Sequence, residues 1–341
     1  MSTTAPAVSD PVSNVLKWIL LFVAVVTFGL MAWATVVTYQ TTPPQPDRFV
    51  SSAGVPVMSG EDVVAGKAGF QKADLMDYGS LYGMGSYFGE DYTATTLVQL
   101  ATATQEAIAE ARYGKRLAEL APDQKAATVT EMRRELQGVD LTKREVVLPD
   151  ALVAAIGKIR SAMTESLGHV DRAAGWTPAY SLDGQAVRHT ADFIVFSALT
   201  TVARRPGVTW SWTQNWPYEP LVGNTPTTET FIWTWASFCF TFLAFGLVLF
   251  IYEVFLNHPD DAPMDPVLSD FLPLTPSQRK VGKYFLVVAG LLLIQIGVGA
   301  LMAHSYYDRT SFYGIDINYL LPFNFLRDVH IQAPIVWIAL A

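Results

Sequence analysis

The sequence predicts a mainly α-helical membrane protein carrying one extramembrane domain, on three observations. Only 16% of its 341 residues are charged, against 51% hydrophobic, whereas a soluble domain runs at about 25% charged. The shortage is concentrated in long windows that hold no charge at all. Between the first and second of these windows lies a stretch that, over 106–172, is as charged as any soluble protein. The net charge of −8 excludes a nucleic-acid partner, which would need a basic surface. Cys239 is the single cysteine, so neither an intrachain disulfide nor a Cys-rich zinc site can form. The C-x-x-C-H of a c-type haem is absent.

The first apolar run, 18–39, carries no charge and is long enough to cross a hydrocarbon core of about 30 Å. A cleaved leader is the alternative, since Ala32-Trp33-Ala34 resembles an A-x-A site. Lys17 alone makes a weak basic start, and the run continues past that site, which favours a retained anchor. The second run is 231–252, between Glu229 and Glu253, and the third is 284–303, after Arg279, Lys280 and Lys283. A fourth begins near His330 and is too short to span. Stopping a membrane helix there would leave carbonyls unsatisfied in lipid, so the sequence is expected to be part of a longer protein with more helices. Lys and Arg accumulate on cytoplasmic loops. Loop 256–283 carries Arg279, Lys280 and Lys283, whereas 304–329 has only Arg309 and Arg327. That bias puts the amino terminus inside and the region before the second run outside.

Within that region a Pro-rich linker, TTPPQPDR, comes first. Segments 101–113, 123–137 and 148–167 read as amphipathic helices. Trp210, Trp212 and Trp216 crowd the return to the membrane and read as interfacial anchors. The stretch 76–97, MDYGSLYGMGSYFGEDYTATTL, is Gly-rich. It lacks the preceding strand and the Lys or Thr of a phosphate loop, so closely packed loops are expected.

Four blocks together resemble a known family. Tyr78-Gly79-Ser80, Gly83-Met84-Gly85 and Gly89-Glu90-Asp91-Tyr92-Thr93-Ala94 resemble a signature of quinol-dependent nitric oxide reductases. Trp216-Pro217-Tyr218-Glu219-Pro220-Leu221-Val222-Gly223-Asn224 and Trp233-Thr234-Trp235-Ala236-Ser237 are similar to later segments of that family. Leu321-Pro322-Phe323-Asn324, followed by Arg327-Asp328-Val329-His330-Ile331-Gln332, resembles the L-P-F-N…R-x-x-H-x-Q that opens a haem-bearing helix. The chain departs from the pattern at Met84, Glu90, Val98, Asp328, Val329 and Val336.

The resemblance implies the amino-terminal portion of a haem–copper-oxidase-like helical bundle in a bacterial inner membrane. It divides the chain into an anchor at 1–39, an extracytoplasmic cytochrome-c-like domain without haem at 40–225, and the first helices of the haem-binding membrane domain at 226–341. It implies reduction of 2 NO to N₂O and water with haem b, haem b3 and non-haem iron, electrons coming from a membrane quinol. The lipid bilayer is the surrounding partner, and a homodimer is left open. His330 is then the axial ligand of the low-spin haem b, since a neutral imidazole binds iron. Arg327, one turn earlier, would reach a haem propionate. Asp328 and Gln332 would face the quinol, polar groups at membrane depth being costly and often functional. His304 reads as interfacial, and His169, His189 and His258 as solvated, none being spaced for a metal. The high-spin haem and the iron need more histidines than these five, so the catalytic residues stay unassigned and the sequence alone is expected to be inactive. Two rivals stand beside the reductase: a relative that dismutates NO to N₂ and O₂, and a non-catalytic membrane protein with a binding domain.

Overall fold

The computed structural model describes residues 14–169, 182–256, 276–309 and 311–340. His258 and most of loop 256–283 lie outside the described residues. The chain divides into two compact units, Met1–Pro44 and Gln45–Ala341. The first unit is the helix α1 (Asn14–Thr41). Two of its threonines bond back to the helix: the hydroxyls of Thr35 and Thr41 donate to the carbonyls of Met31 and Val37, each at 2.8 Å. That is what an apolar medium requires.

The second unit begins with strands β1 (Arg48–Ser51) and β2 (Pro56–Ser59), an antiparallel pair. Helix α2 (Gly60–Lys72) follows, started by a capping box. The Asp62 amide donates to the Ser59 hydroxyl, and the Ser59 amide donates to the Asp62 carboxylate, both at 3.0 Å. The short α3 (Leu75–Tyr78) leads into the two-residue strands β3 (Ser80–Leu81) and β4 (Met84–Gly85). This is the Gly-rich stretch, and Asp91 organises it. One Asp91 oxygen caps α4 (Tyr92–Tyr113) through the Ala94 amide at 2.8 Å. The other accepts from the Gly83 amide at 2.8 Å and the Ser80 hydroxyl at 2.7 Å. Gly85 sits at φ 139, where a Cβ would lie 2.5 Å from the Gly79 carbonyl. The expected close packing is therefore present up to Asp91, whereas 92–97, expected as loop, begin helix α4.

Next come α5 (Pro122–Gln137), β5 (Glu145–Leu148), α6 (Asp150–Gly168) and α7 (Gly184–Thr200). Strand β5 joins β1 in parallel, giving the order β2-β1-β5. Phe49, Leu97, Leu100, Met132, Leu136, Leu148, Leu152, Ile156 and Leu199 fill the main core. Helices α2 and α7 cross closely because Gly66 and Gly69 leave room. Arg160 of α6 bridges two elements, its Nε donating to Asp192 of α7 at 2.5 Å and its Nη2 to the Val57 carbonyl of β2 at 2.8 Å. Burial pushes the Asp192 carboxyl up from its usual range, against the pull of Arg160. Trp212 and Trp216 are not bare interfacial anchors. Trp212 packs on the main core, and the Trp216 ring closes under Gly83, where a Cβ would come within 2.9 Å of it.

Helices α8 (Thr228–Ile251), α9 (Pro276–Tyr307) and α10 (Phe323–Leu340) complete the unit. Among the described residues three helices are long and apolar enough to cross a membrane, over Lys17–Thr41, Thr228–Val254 and Arg279–Tyr307. The chain is thus a mainly α-helical membrane protein with an amino-terminal span. Helix α10 starts earlier than the apolar run implied. Pro322 fixes its entry, the Leu326 amide bonding the Pro322 carbonyl at 3.0 Å, so His330 lies two turns inside.

The α2 cap gives a first prediction. Burial alone would raise the Asp62 carboxyl, but hydrogen bonds from Ser59 and the nearby His189 and Arg188 hold it below 3.8. A depressed carboxylate stabilises the fold in full above its unfolded value, and the contribution is lost as pH falls through the native value. Ser59→Ala should cost about 1 kcal/mol, read as roughly fivefold faster hydrogen exchange in the first turn of α2 at neutral pH. The part of the cap's stability that depends on the Asp62 carboxylate should be lost only as pH falls through its lowered native value. An unchanged exchange rate at neutral pH would contradict it.

Candidate functional site

The segment that opens α10 is seated on the Gly-rich loops. Phe323 and Asn324 are each 1% exposed. The Phe323 ring stacks on Phe88, centroids 3.9 Å apart and planes 10° apart, and Tyr306 stands edge-on to both. Arg309 of the preceding loop donates to the Phe88 carbonyl at 2.9 Å and lies over its ring at 4.7 Å. The Asn324 amide nitrogen donates to Asp74 at 2.6 Å, and its oxygen accepts from the Tyr78 hydroxyl at 3.1 Å. Arg327 pairs with the buried Asp77.

The electrostatics of this seat are acidic. Carboxylate oxygens of Asp74, Asp77 and Asp328 lie within 4.8 Å of one another. Burial first, and then the charge of Asp328, push the Asp74 carboxyl up, against its bond from Asn324 and the charge of Arg327. Such a trio is close enough to share one cation, but Asn324 and Arg327 already engage two of its members.

His330 faces α9. Its Nδ1 is 3.1 Å from the Gln295 carbonyl oxygen. A carbonyl can only accept, so Nδ1 carries a proton, and in the neutral form of the ring Nε2 holds the lone pair. Among the described residues Nε2 has no hydrogen-bond partner. Gly299, one turn beyond Gln295, makes room for the ring, since a Cβ there would lie 2.8 Å from His330 Cε1. Gln295 holds α10 a second time: its Oε1 accepts from Trp337 Nε1 at 2.7 Å. An imidazole pinned at Nδ1 with Nε2 open is the donor geometry of an axial haem ligand. The residues present fit one side of a haem iron.

The other expected residues are less gathered. Arg327 is engaged with Asp77, so a propionate would have to share its guanidinium. Asp328 and Gln332 are exposed, one turn apart. His169 is exposed, its Nδ1 on the Glu165 carbonyl. His189 is less solvated than expected, with Nε2 3.3 Å from Asp62. His304 is more than interfacial. Its ring is caged by Phe312 and Tyr313, centroids at 4.7 and 4.9 Å, and its Nε2 is buried with no partner among the described residues.

Sequence reasoning does not reach Gln295 or the Asp74–Asp77 pair. A lone glutamine in an apolar span is the available signal for the first. Nothing local marks the second.

No curated protein matches the chain. Residues 46–218 match the family model of the NorB cytochrome c-like domain of nitric oxide reductase. These residues contain the loops on which the start of α10 rests, and they make up just over half of the sequence. With that match, the chain belongs to the NorB family of nitric oxide reductases.

Proposed function

We propose that the intact protein is a quinol-dependent nitric oxide reductase. Two NO and the two hydrogen atoms of one quinol give N₂O, water and quinone. The observation that carries this reading is His330, fixed at Nδ1 by Gln295 and open at Nε2, on a helix seated on the family-matching domain. A low-spin haem b held there would pass electrons singly from the quinol toward the reducing site. The chain's own residues hold the imidazole, set its tautomer and keep the start of α10 in place. The ligands of haem b3 and non-haem iron are assigned to residues outside this sequence, because its five histidines do not supply them. We place 40–225 on the outer face of a bacterial inner membrane, from Arg279, Lys280 and Lys283 in the first turns of α9.

Asp328 and Gln332 remain candidates for quinol contact. The reading is tested on the purified intact protein with isotope-labelled NO and mass-spectrometric product analysis. The expected result is labelled N₂O that appears only with added quinol. Labelled N₂ with O₂ in the absence of any donor would replace it with dismutation. A protein lacking any haem spectrum would replace it with the non-catalytic reading.

A further inference from the structure

The matching domain lacks C-x-x-C-H, so it does not carry a covalently attached haem. It nevertheless touches α10 through side chains buried in its second cluster, where Phe70, Leu75, Tyr78, Leu81 and Phe88 pack together with Phe323. We propose that this domain acts as a clamp on the haem-bearing helix, and that Asp77 is a positioning residue for His330.

The geometry runs in one line. Asp77 is 6% exposed on α3 and grips Arg327, which lies three residues before His330. Asn324, six residues before, is tied to both ends of the same short helix region, at Asp74 and Tyr78. Phe323 is stacked on Phe88. The first turns of α10 are therefore fixed in rotation and in height by the extramembrane domain. The far side of the helix is fixed by Gln295, which holds His330 and Trp337. An α-helix turns 100° and rises 1.5 Å per residue, so a rotation at Arg327 is carried directly into the direction of the imidazole. A buried carboxylate with a guanidinium partner also resists local rearrangement, because separating them leaves a charge unpaired. This assigns Arg327 to the clamp rather than to a propionate. It rests on the reading of His330 as an axial ligand.

The test is Asp77→Asn in the intact holoprotein. The readouts are the low-spin haem signal by electron paramagnetic resonance and the rate of haem loss on dilution, neither of which needs turnover. Partners that orient a metal ligand are typically worth ~10–100-fold in affinity. The expected result is a shifted, broadened low-spin signal and haem loss about tenfold faster, both restored toward wild type in Asp77→Glu. A wild-type signal and rate in Asp77→Asn would overturn the proposal. If that protein does not accumulate, Phe88→Leu, which removes the stack and keeps an apolar side chain, must show the same two changes, and a wild-type result there overturns it equally. His330→Ala run in parallel separates the two claims. Survival of the low-spin signal in His330→Ala defeats the ligand reading itself. Its loss there, with Asp77→Asn unchanged, defeats only the clamp.

Discussion

Replacing His330 by alanine is expected to abolish the six-coordinate low-spin b-type signal of the intact protein. Quinol-linked turnover should fall by at least ~100-fold, since an axial ligand contributes more than the ~10–100-fold of the groups that orient it. The expectation follows from the ring's surroundings. Nδ1 is committed to the Gln295 carbonyl, and no other imidazole among the described residues stands on α10. A neighbouring substitution refines the test. Gly299→Ala would place a Cβ 2.8 Å from His330 Cε1, so the ring must turn while remaining able to bind. That variant should keep a low-spin haem with an altered signal, where His330→Ala keeps none. Unchanged reduced spectra in both would mean that the haem lies elsewhere.

The apolar spans were legible because hydrocarbon thickness dictates their length and tolerates little charge. Although the start of α4 reads as loop, the second half of α4 and helices α5 and α6 were legible because their apolar residues have helical period. Helix α2 was not. It reads GEDVVAGKAGFQK, and its glycines lower helix propensity while serving a crossing that only the folded chain reveals. Its partner α7 hides among Thr and Ser that bond back to helix carbonyls, as Thr190 does to Ala186 and Ser197 to Phe193. Strands β1 and β5 are four residues each and pair across a long stretch of sequence, which no local pattern encodes. At the site, the motif around His330 was readable, but Asp77 and Arg327 are 250 positions apart. Their meeting is a property of packing, so the propionate role given to Arg327 had no way to register its competitor.

Gly66→Val should cost more than ~3 kcal/mol, beyond the usual range for an added core side chain. Helices α2 and α7 approach so closely that even a Cβ at Gly66 would fall 1.8 Å from the His189 carbonyl oxygen and 2.7 Å from Phe193 Cβ. A backbone oxygen cannot rotate aside, so the helices themselves must separate. Gly69, one turn on, offers no slack, because a Cβ there would meet Thr190 Oγ1 at 2.2 Å. Separation breaks the cluster in which Phe70, Val187 and Ile194 pack with Tyr78, Phe88 and Phe323, so the damage reaches the seat of α10. With domain stabilities of about 5–15 kcal/mol, a substantial share would be lost. Gly157→Ala on the exposed face of α6 is the opposing control. Nothing lies within 4 Å of its added Cβ, and a helix gains about 0.5–1 kcal/mol from that change. Thermal unfolding and limited proteolysis of the intact protein should move in opposite directions for the two variants. A Gly66→Val protein that melts with wild type would show that α2 and α7 do not cross at this glycine.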